Sequence, residues 1–184
     1  MDPRFLLEYR IHSVVYDLIQ RIDTITKVCA HIAAWMFFSI GAMITYEVVM
    51  RKVFNMPTIW VDEVTRFVQV WAVYLASAHI LKKRGLITVE LFTSSISKGK
   101  FKVLEIFSLL IIAFFSFVAV YYGTGVVLES IDLGRKTSTM LGVPKWMTES
   151  AVPIGFALLL VQTIVEIVKL LRGDSITAVE GHQV

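Results

Sequence analysis

The sequence has little charge and a single cysteine. Charged residues fill 18% of the 184 positions, hydrophobic residues fill 56%, and the mean hydropathy is +0.69. A soluble domain needs a far more polar composition, so these values indicate an integral membrane protein. Cys29 alone excludes an intramolecular disulfide and any metal site built from several cysteines, and we interpret it as a small core residue.

Two further absences bear on the function of the protein and on how it enters the membrane. The sequence contains no phosphate-binding loop, no nucleophile with a base and no paired catalytic carboxylates, so we expect neither an enzyme nor a cofactor site. The first 27 residues also lack a continuous apolar core, because acidic residues interrupt them at positions 2, 8, 17 and 23. We therefore predict no cleavable signal peptide and expect the first spanning helix to act as its own insertion signal.

Four apolar segments are long enough to cross a hydrocarbon core, which takes roughly 20 residues of helix. They cover about residues 28–50, 60–81, 103–128 and 150–171. The predicted fold is an all-α integral membrane protein with a four-helix membrane domain at 28–171 and a cytoplasmic tail at 172–184. Residues 1–27 are predicted to contain a cytoplasmic amphipathic helix, because apolar residues recur there three and four positions apart. That helix either lies in the membrane interface or extends the first spanning helix.

The distribution of lysine and arginine predicts the orientation. Twelve of these residues flank the membrane on the side of the two termini and the middle link, and five lie on the opposite side. Because cytoplasmic loops carry the excess of positive charge, both termini are predicted to be cytoplasmic.

Charge is concentrated around the turn between the first and second segments. Glu47 and Arg51 are four residues apart, and Asp62, Glu63 and Arg66 have helical i, i+1 and i+4 spacing. If the two segments form a hairpin with its turn at residues 52–58, all five side chains fall into one outer cluster that holds the hairpin together. An internal ion pair, a contact to a partner subunit and an ion path all remain open, since an unpaired charge in the membrane is costly.

Other candidate residues fit structural roles. Trp60 and Trp146 fall where interfacial aromatic belts are expected, whereas Trp71 lies deeper and is interpreted as helix packing. Pro144 and Trp146 are predicted to open an interfacial turn that continues into the fourth segment, which Pro153 would then kink.

Polar residues near the cytoplasmic ends leave further alternatives open. Glu105 and Glu166 either pair with Lys102 and Lys169 or meet water. His31 and His79 are predicted to lie at similar depth, which would allow them to ligate a haem in a membrane anchor of a respiratory enzyme. A structural membrane protein without a transport partner is the remaining alternative.

Two blocks of the sequence resemble the small membrane subunit of tripartite ATP-independent periplasmic (TRAP) transporters. The first block follows the first segment and the second leads into the fourth. The first consists of Arg51, Val53, Phe54, Asn55, Trp60, Glu63, Arg66 and Trp71 with a basic run before Gly85, Val89 and Glu90; the second consists of Leu141, Pro144, Trp146 and residues 152–156.

This resemblance implies a scaffold subunit in a bacterial inner membrane. Its expected partners are a large many-helix transport subunit, which would hold the substrate and sodium sites, and a periplasmic substrate-binding protein. The complex would use a sodium gradient to import an organic acid, such as a dicarboxylate or sialic acid. The small subunit would brace the static part of the large one, and a contribution to docking the binding protein is a further expectation.

Overall fold

The computed structural model describes residues 3–82, 98–138 and 142–172. It contains the helices α1 (Pro3–Val53), α2 (Ile59–Lys82), α3 (Lys98–Asp132), α4 (Lys145–Glu149) and α5 (Ala151–Arg172). Four stretches are long and apolar enough to cross a membrane: Tyr16–Val53, Ile59–Lys82, Val103–Asp132 and Lys145–Leu171. The predicted all-α fold with four spanning helices is confirmed, and the described ranges contain no strand. The placement of the termini on the cytoplasmic side stays a prediction.

Helix α1 is much longer than a membrane crossing. Its 51 residues correspond to about 76 Å at 1.5 Å per residue, against a hydrocarbon core of about 30 Å. After Pro3 the sequence has no proline before Pro57 and no glycine before Gly41, so nothing local interrupts the helix. Residues 4–27 were predicted either to lie in the membrane interface or to extend the first spanning helix. In the structure they extend it, as one continuous helix.

A tight turn connects α1 to α2. Asn55 adopts a left-handed conformation with φ 58°, which asparagine tolerates better than most residues, and the Met56 N–H donates to the Met50 carbonyl at 3.1 Å. Pro57 follows where no helical hydrogen bond is required of it. The predicted turn at residues 52–58 therefore exists, and it brings the two helices side by side.

The end of α3 is closed by a Schellman motif. Gly134 has φ 57°, the Arg135 N–H donates to the Ser130 carbonyl at 3.0 Å, and the Gly134 N–H donates to the Ile131 carbonyl at 3.1 Å. An isolated antiparallel bridge between Lys136 and Pro144 then turns the chain back toward α4.

The last spanning stretch is interrupted at Ser150, between α4 and α5. Pro153 explains the break, because it has no N–H to donate to the Glu149 carbonyl four residues earlier. The sequence interpretation of an interfacial turn at Pro144 and Trp146, with an irregularity caused by Pro153, agrees with this arrangement.

The spanning helices pack in the spatial order α1, α2, α5, α3. Helices α2 and α5 are central, while α1 and α3 lie at the two edges. Leu81, Leu109 and Leu170 from α2, α3 and α5 form a buried cluster near one end. Nearer the other end a Cβ on Gly155 would lie 2.4 Å from the Tyr74 Cβ, so the glycine is what lets α5 approach α2 so closely.

Several predictions concern residues outside the described ranges. They include the form of the link around Gly85–Glu90, the position of Leu141 and the tail at 173–184. The pairing of Glu105 with Lys102 also falls here, because the structure describes the backbone of Lys102 but not its side chain.

Candidate functional site

A carboxylate at the end of α1 caps the start of α2. Glu47 is buried, and its Oε1 accepts a 2.6 Å hydrogen bond from Arg51 Nη2. Its Oε2 accepts hydrogen bonds from the Thr58 backbone N–H, at 3.2 Å, and from the Thr58 hydroxyl. Thr58 directly precedes α2, where the first N–H groups have no partner within the helix. We call these three residues the Glu47 cap.

The predicted five-residue outer cluster is wrong as a single unit. Glu47 and Arg51 pair as their spacing indicated, but the third partner is Thr58, not Arg66. Asp62 and Arg66 are exposed, and among the described residues neither forms an ion pair. The side chains of Asp62 and Arg66 stay exposed at the surface of the bundle, whereas Glu63 is half-buried and has a polar partner.

A second polar cluster ties three spanning helices together at the opposite end of the bundle. Asp23 Oδ2 on α1 lies 2.9 Å from Lys82 Nζ on α2 and 3.1 Å from Lys169 Nζ on α5. Lys169 also pairs with Glu166 at 3.1 Å, as the i, i+3 spacing allows. Each cation and carboxylate in this cluster has an opposite charge within 3.1 Å.

Neutral side chains complete the same cluster. Gln162 is fully buried, and its amide nitrogen donates to Asp23 at 3.3 Å and to Glu166 at 3.1 Å. The Thr26 hydroxyl bonds to the Gln162 amide oxygen at 2.9 Å, which links α1 to α5 a second time. We call these six residues (Asp23, Thr26, Lys82, Gln162, Glu166 and Lys169) the Asp23 network. Because all the buried groups find partners, the network costs less than isolated buried charges would.

Sequence reasoning missed most of the Asp23 network. It predicted only that Glu166 could meet Lys169, and it used Asp23 only as an argument against a signal peptide. One signal was available: Asp23 and Thr26 are polar residues three positions apart, and so neighbours on the helix surface, at the depth where basic residues end the second and fourth segments.

The indole of Trp71 joins α2 to α4. Its Nε1–H donates to the Met147 carbonyl at 3.1 Å, and its ring lies 6.4 Å from that of Phe67. The interpretation of Trp71 as a packing residue therefore gains a specific partner. Trp60 and Trp146 are exposed, with Trp60 against the Tyr46 ring at 6.3 Å, which is compatible with the predicted interfacial role.

The sequence of this chain also matches the model of a known protein family. The family model for the DctQ component of tripartite ATP-independent periplasmic transporters matches residues 40–173, more than half of the chain. The chain belongs to this family. The resemblance identified from the sequence is thereby confirmed. A search of curated proteins gives no match.

The DctQ assignment establishes a component of a TRAP transporter, and with four spanning helices this is a multi-pass membrane protein. The family is one of transporter components and not of enzymes. The matched region contains the Glu47 cap, Trp71 and the α2 and α5 members of the Asp23 network. Asp23 and Thr26 precede that region, so the network anchors the N-terminal part of α1 to the helices that the family model covers.

Metal-ligating residues are dispersed in the described part of this DctQ component. The residues that the structure describes include no group of three or more histidine, cysteine, aspartate or glutamate side chains that could hold a metal ion. His31, one of the two haem candidates, is exposed, and its Nδ1 lies 2.9 Å from the Lys27 carbonyl. A carbonyl oxygen only accepts, so Nδ1 is the donor in this hydrogen bond.

Proposed function

We propose that this chain is the scaffold subunit of a sodium-driven, binding-protein-dependent transporter of organic acids in a bacterial inner membrane. It braces the large transport subunit and offers a docking surface for the periplasmic substrate-binding protein. Substrate and sodium sites belong to the large subunit, and this chain carries no cofactor.

The observation that supports this proposal is that the charged side chains inside the bundle pair with one another. Glu47 is held by Arg51 and Thr58, and Asp23 is held by two lysines and a glutamine. A path for an anionic solute requires free positive groups or helix ends facing a cavity at the membrane midplane. In the described helices these groups instead neutralise one another near the two ends of the bundle, which favours a supporting role over a conducting one.

The same contacts suit a static element. The Asp23 network fixes α1 against α2 and α5, and the Glu47 cap fixes the opposite end of α1 against α2. The close approach of Gly155 to Tyr74 sets the distance between α2 and α5. Because packed helices joined at both ends resist sliding, a large subunit that moves during transport has a rigid surface to move against.

The edges of the bundle provide the surface for such a partner. Helices α1 and α3 display large apolar side chains that the bundle does not cover, including Phe38 and Val53 on α1 and Phe114 and Tyr122 on α3, each at least 68% exposed. Asp62 and Arg66 add exposed charges close to the turn between α1 and α2. Polar groups among apolar ones at a helix surface are the usual means by which membrane helices select their partners.

Reconstitution tests the proposal directly. The chain should be purified with the large hydrophobic subunit that it retains, and uptake of labelled dicarboxylates and sialic acid measured in proteoliposomes under a sodium gradient. We expect uptake only when the large subunit and the binding protein are present, and background uptake from the chain alone. Sodium-dependent uptake by the chain alone would contradict the scaffold role, and purification without any large partner would contradict the complex.

A further inference from the structure

A groove of about 650 Å³ runs along the exposed face of α1 and is closed on one side by Val68 of α2. Its wall is apolar over most of its length, with Ile32, Trp35, Met36 and Met43 on it. Its volume lies within the roughly 300–1,000 Å³ of typical ligand sites. Neither the Glu47 cap nor the Asp23 network contributes to it.

Apart from Ser39, whose hydroxyl donates to the Trp35 carbonyl at 2.8 Å, the polar groups of the groove lie at the end nearest the N-terminus. Lys27, Thr24 and His31 lie there, and among the residues that the structure describes no acidic side chain lines the groove. Lys27 is exposed, and among the described residues it forms no ion pair. The hydrogen bond between His31 Nδ1 and the Lys27 carbonyl holds the imidazole ring at this same end. One end of the groove therefore offers a positive charge with polar groups beside it.

The length of the groove matches one leaflet of a bilayer. Twelve residues separate His31 from Met43, which corresponds to about 18 Å along the helix. Half of the hydrocarbon core is about 15 Å thick. Lys27 also lies at the border of the apolar part of α1, where a lipid headgroup would be found.

We propose that this groove binds one anionic phospholipid, with its phosphate at Lys27 and an acyl chain along the apolar wall toward Met43. The groove is apolar where an acyl chain would lie and positive where a phosphate would lie, and it has the length of one leaflet. An apolar helix of a partner protein would match the wall but would leave the Lys27 charge without a counterpart. The inference is independent of the transport role, because it concerns this chain alone.

Native mass spectrometry of the full-length chain tests the site, with phosphatidylglycerol and phosphatidylcholine offered at equal concentrations. We expect one phosphatidylglycerol to be retained in preference to phosphatidylcholine. Lys27→Gln should lower phosphatidylglycerol retention by roughly five-fold, which is the effect of one lysine near an anionic lipid surface. Lys27→Arg keeps the charge and should retain the lipid, which separates loss of the site from loss of the fold.

Two further variants locate the binding. Lys52→Gln removes another exposed lysine from the far end of α1 and should leave retention unchanged. Ser39→Phe places a large side chain in the groove and should reduce retention of both lipids. The proposal fails if the two lipids bind equally, if Lys52→Gln acts like Lys27→Gln, or if Ser39→Phe has no effect. It also fails if the assembled transporter holds no lipid there because a helix of the large subunit covers the groove.

Discussion

Replacing Asp23 with alanine is the sharpest perturbation of the bundle. The carboxylate accepts from Lys82 at 2.9 Å, from Lys169 at 3.1 Å and from Gln162 at 3.3 Å, so its removal affects three helices at once. Lys169 keeps Glu166 at 3.1 Å, but Lys82 loses the carboxylate to which it is bonded.

The size of the effect follows from burial and charge. Removing one partner of a fully buried ion pair costs about 3–5 kcal/mol, and a hydrogen bond to a charged group contributes about 1.5–3 kcal/mol. The Asp23 side chain is 21% exposed and that of Lys82 is 19% exposed, so solvent screens part of the interaction. We therefore expect Asp23→Ala to lower the free energy of unfolding by about 2–3 kcal/mol.

Reversible unfolding in mixed micelles, followed by tryptophan fluorescence, measures this difference. Asp17→Ala is the matched control, because Asp17 is an exposed aspartate on the same helix and has no ion pair among the described residues; we expect a change below about 0.5 kcal/mol. Adding Lys82→Met to Asp23→Ala removes the stranded ammonium, so the double variant should be more stable than the sum of the two single effects by about 1–2 kcal/mol. Equal effects of Asp23→Ala and Asp17→Ala, or an additive double variant, would refute the reasoning.

Two further predictions test the contacts of α2. Gly155→Ala should destabilise the bundle by about 1–3 kcal/mol, because the added methyl group overlaps the facing tyrosine. Gly41 has nothing within 4 Å of an added Cβ, so Gly41→Ala should be neutral or stabilise by up to about 1 kcal/mol. The same unfolding assay compares the two variants. Trp71→Phe removes the indole N–H that bonds to the carbonyl of α4 and should cost about 0.5–1.5 kcal/mol, while Trp35→Phe, at a 70% exposed ring without such a bond, should change stability little. Equal effects within either pair would count against that contact.

Local features of the sequence predicted the helices well. Proline occurs at only four positions, and each one lies at the start of a helix, within its first turn or in a turn between helices. Pairs that are close in sequence, such as Glu47 with Arg51 and Glu166 with Lys169, could also be predicted, because helical spacing alone brings them together.

Contacts between distant segments could not be predicted from the sequence. The five-residue outer cluster assumed that all charges near one turn would converge, but the rotation of each helix about its axis decides which of them face each other. Glu47 bonds to Thr58 in the turn, whereas Asp62 and Arg66 remain exposed. The donors of Trp71 and Gln162 likewise have partners that lie 76 and 139 residues away in sequence, at Met147 and Asp23.

The sequence by itself determined that this protein is a bundle of four spanning helices, because apolar length and the positions of proline and charge act locally, and its two motif blocks resembled those of the TRAP transporter family. Only the tertiary structure decided how the bundle is held together. The order α1, α2, α5, α3 brings Asp23, Lys82 and Lys169 to one depth and lets Gly155 meet Tyr74. Those contacts depend on the relative rotation and depth of helices far apart in the chain, and no local pattern encodes either quantity.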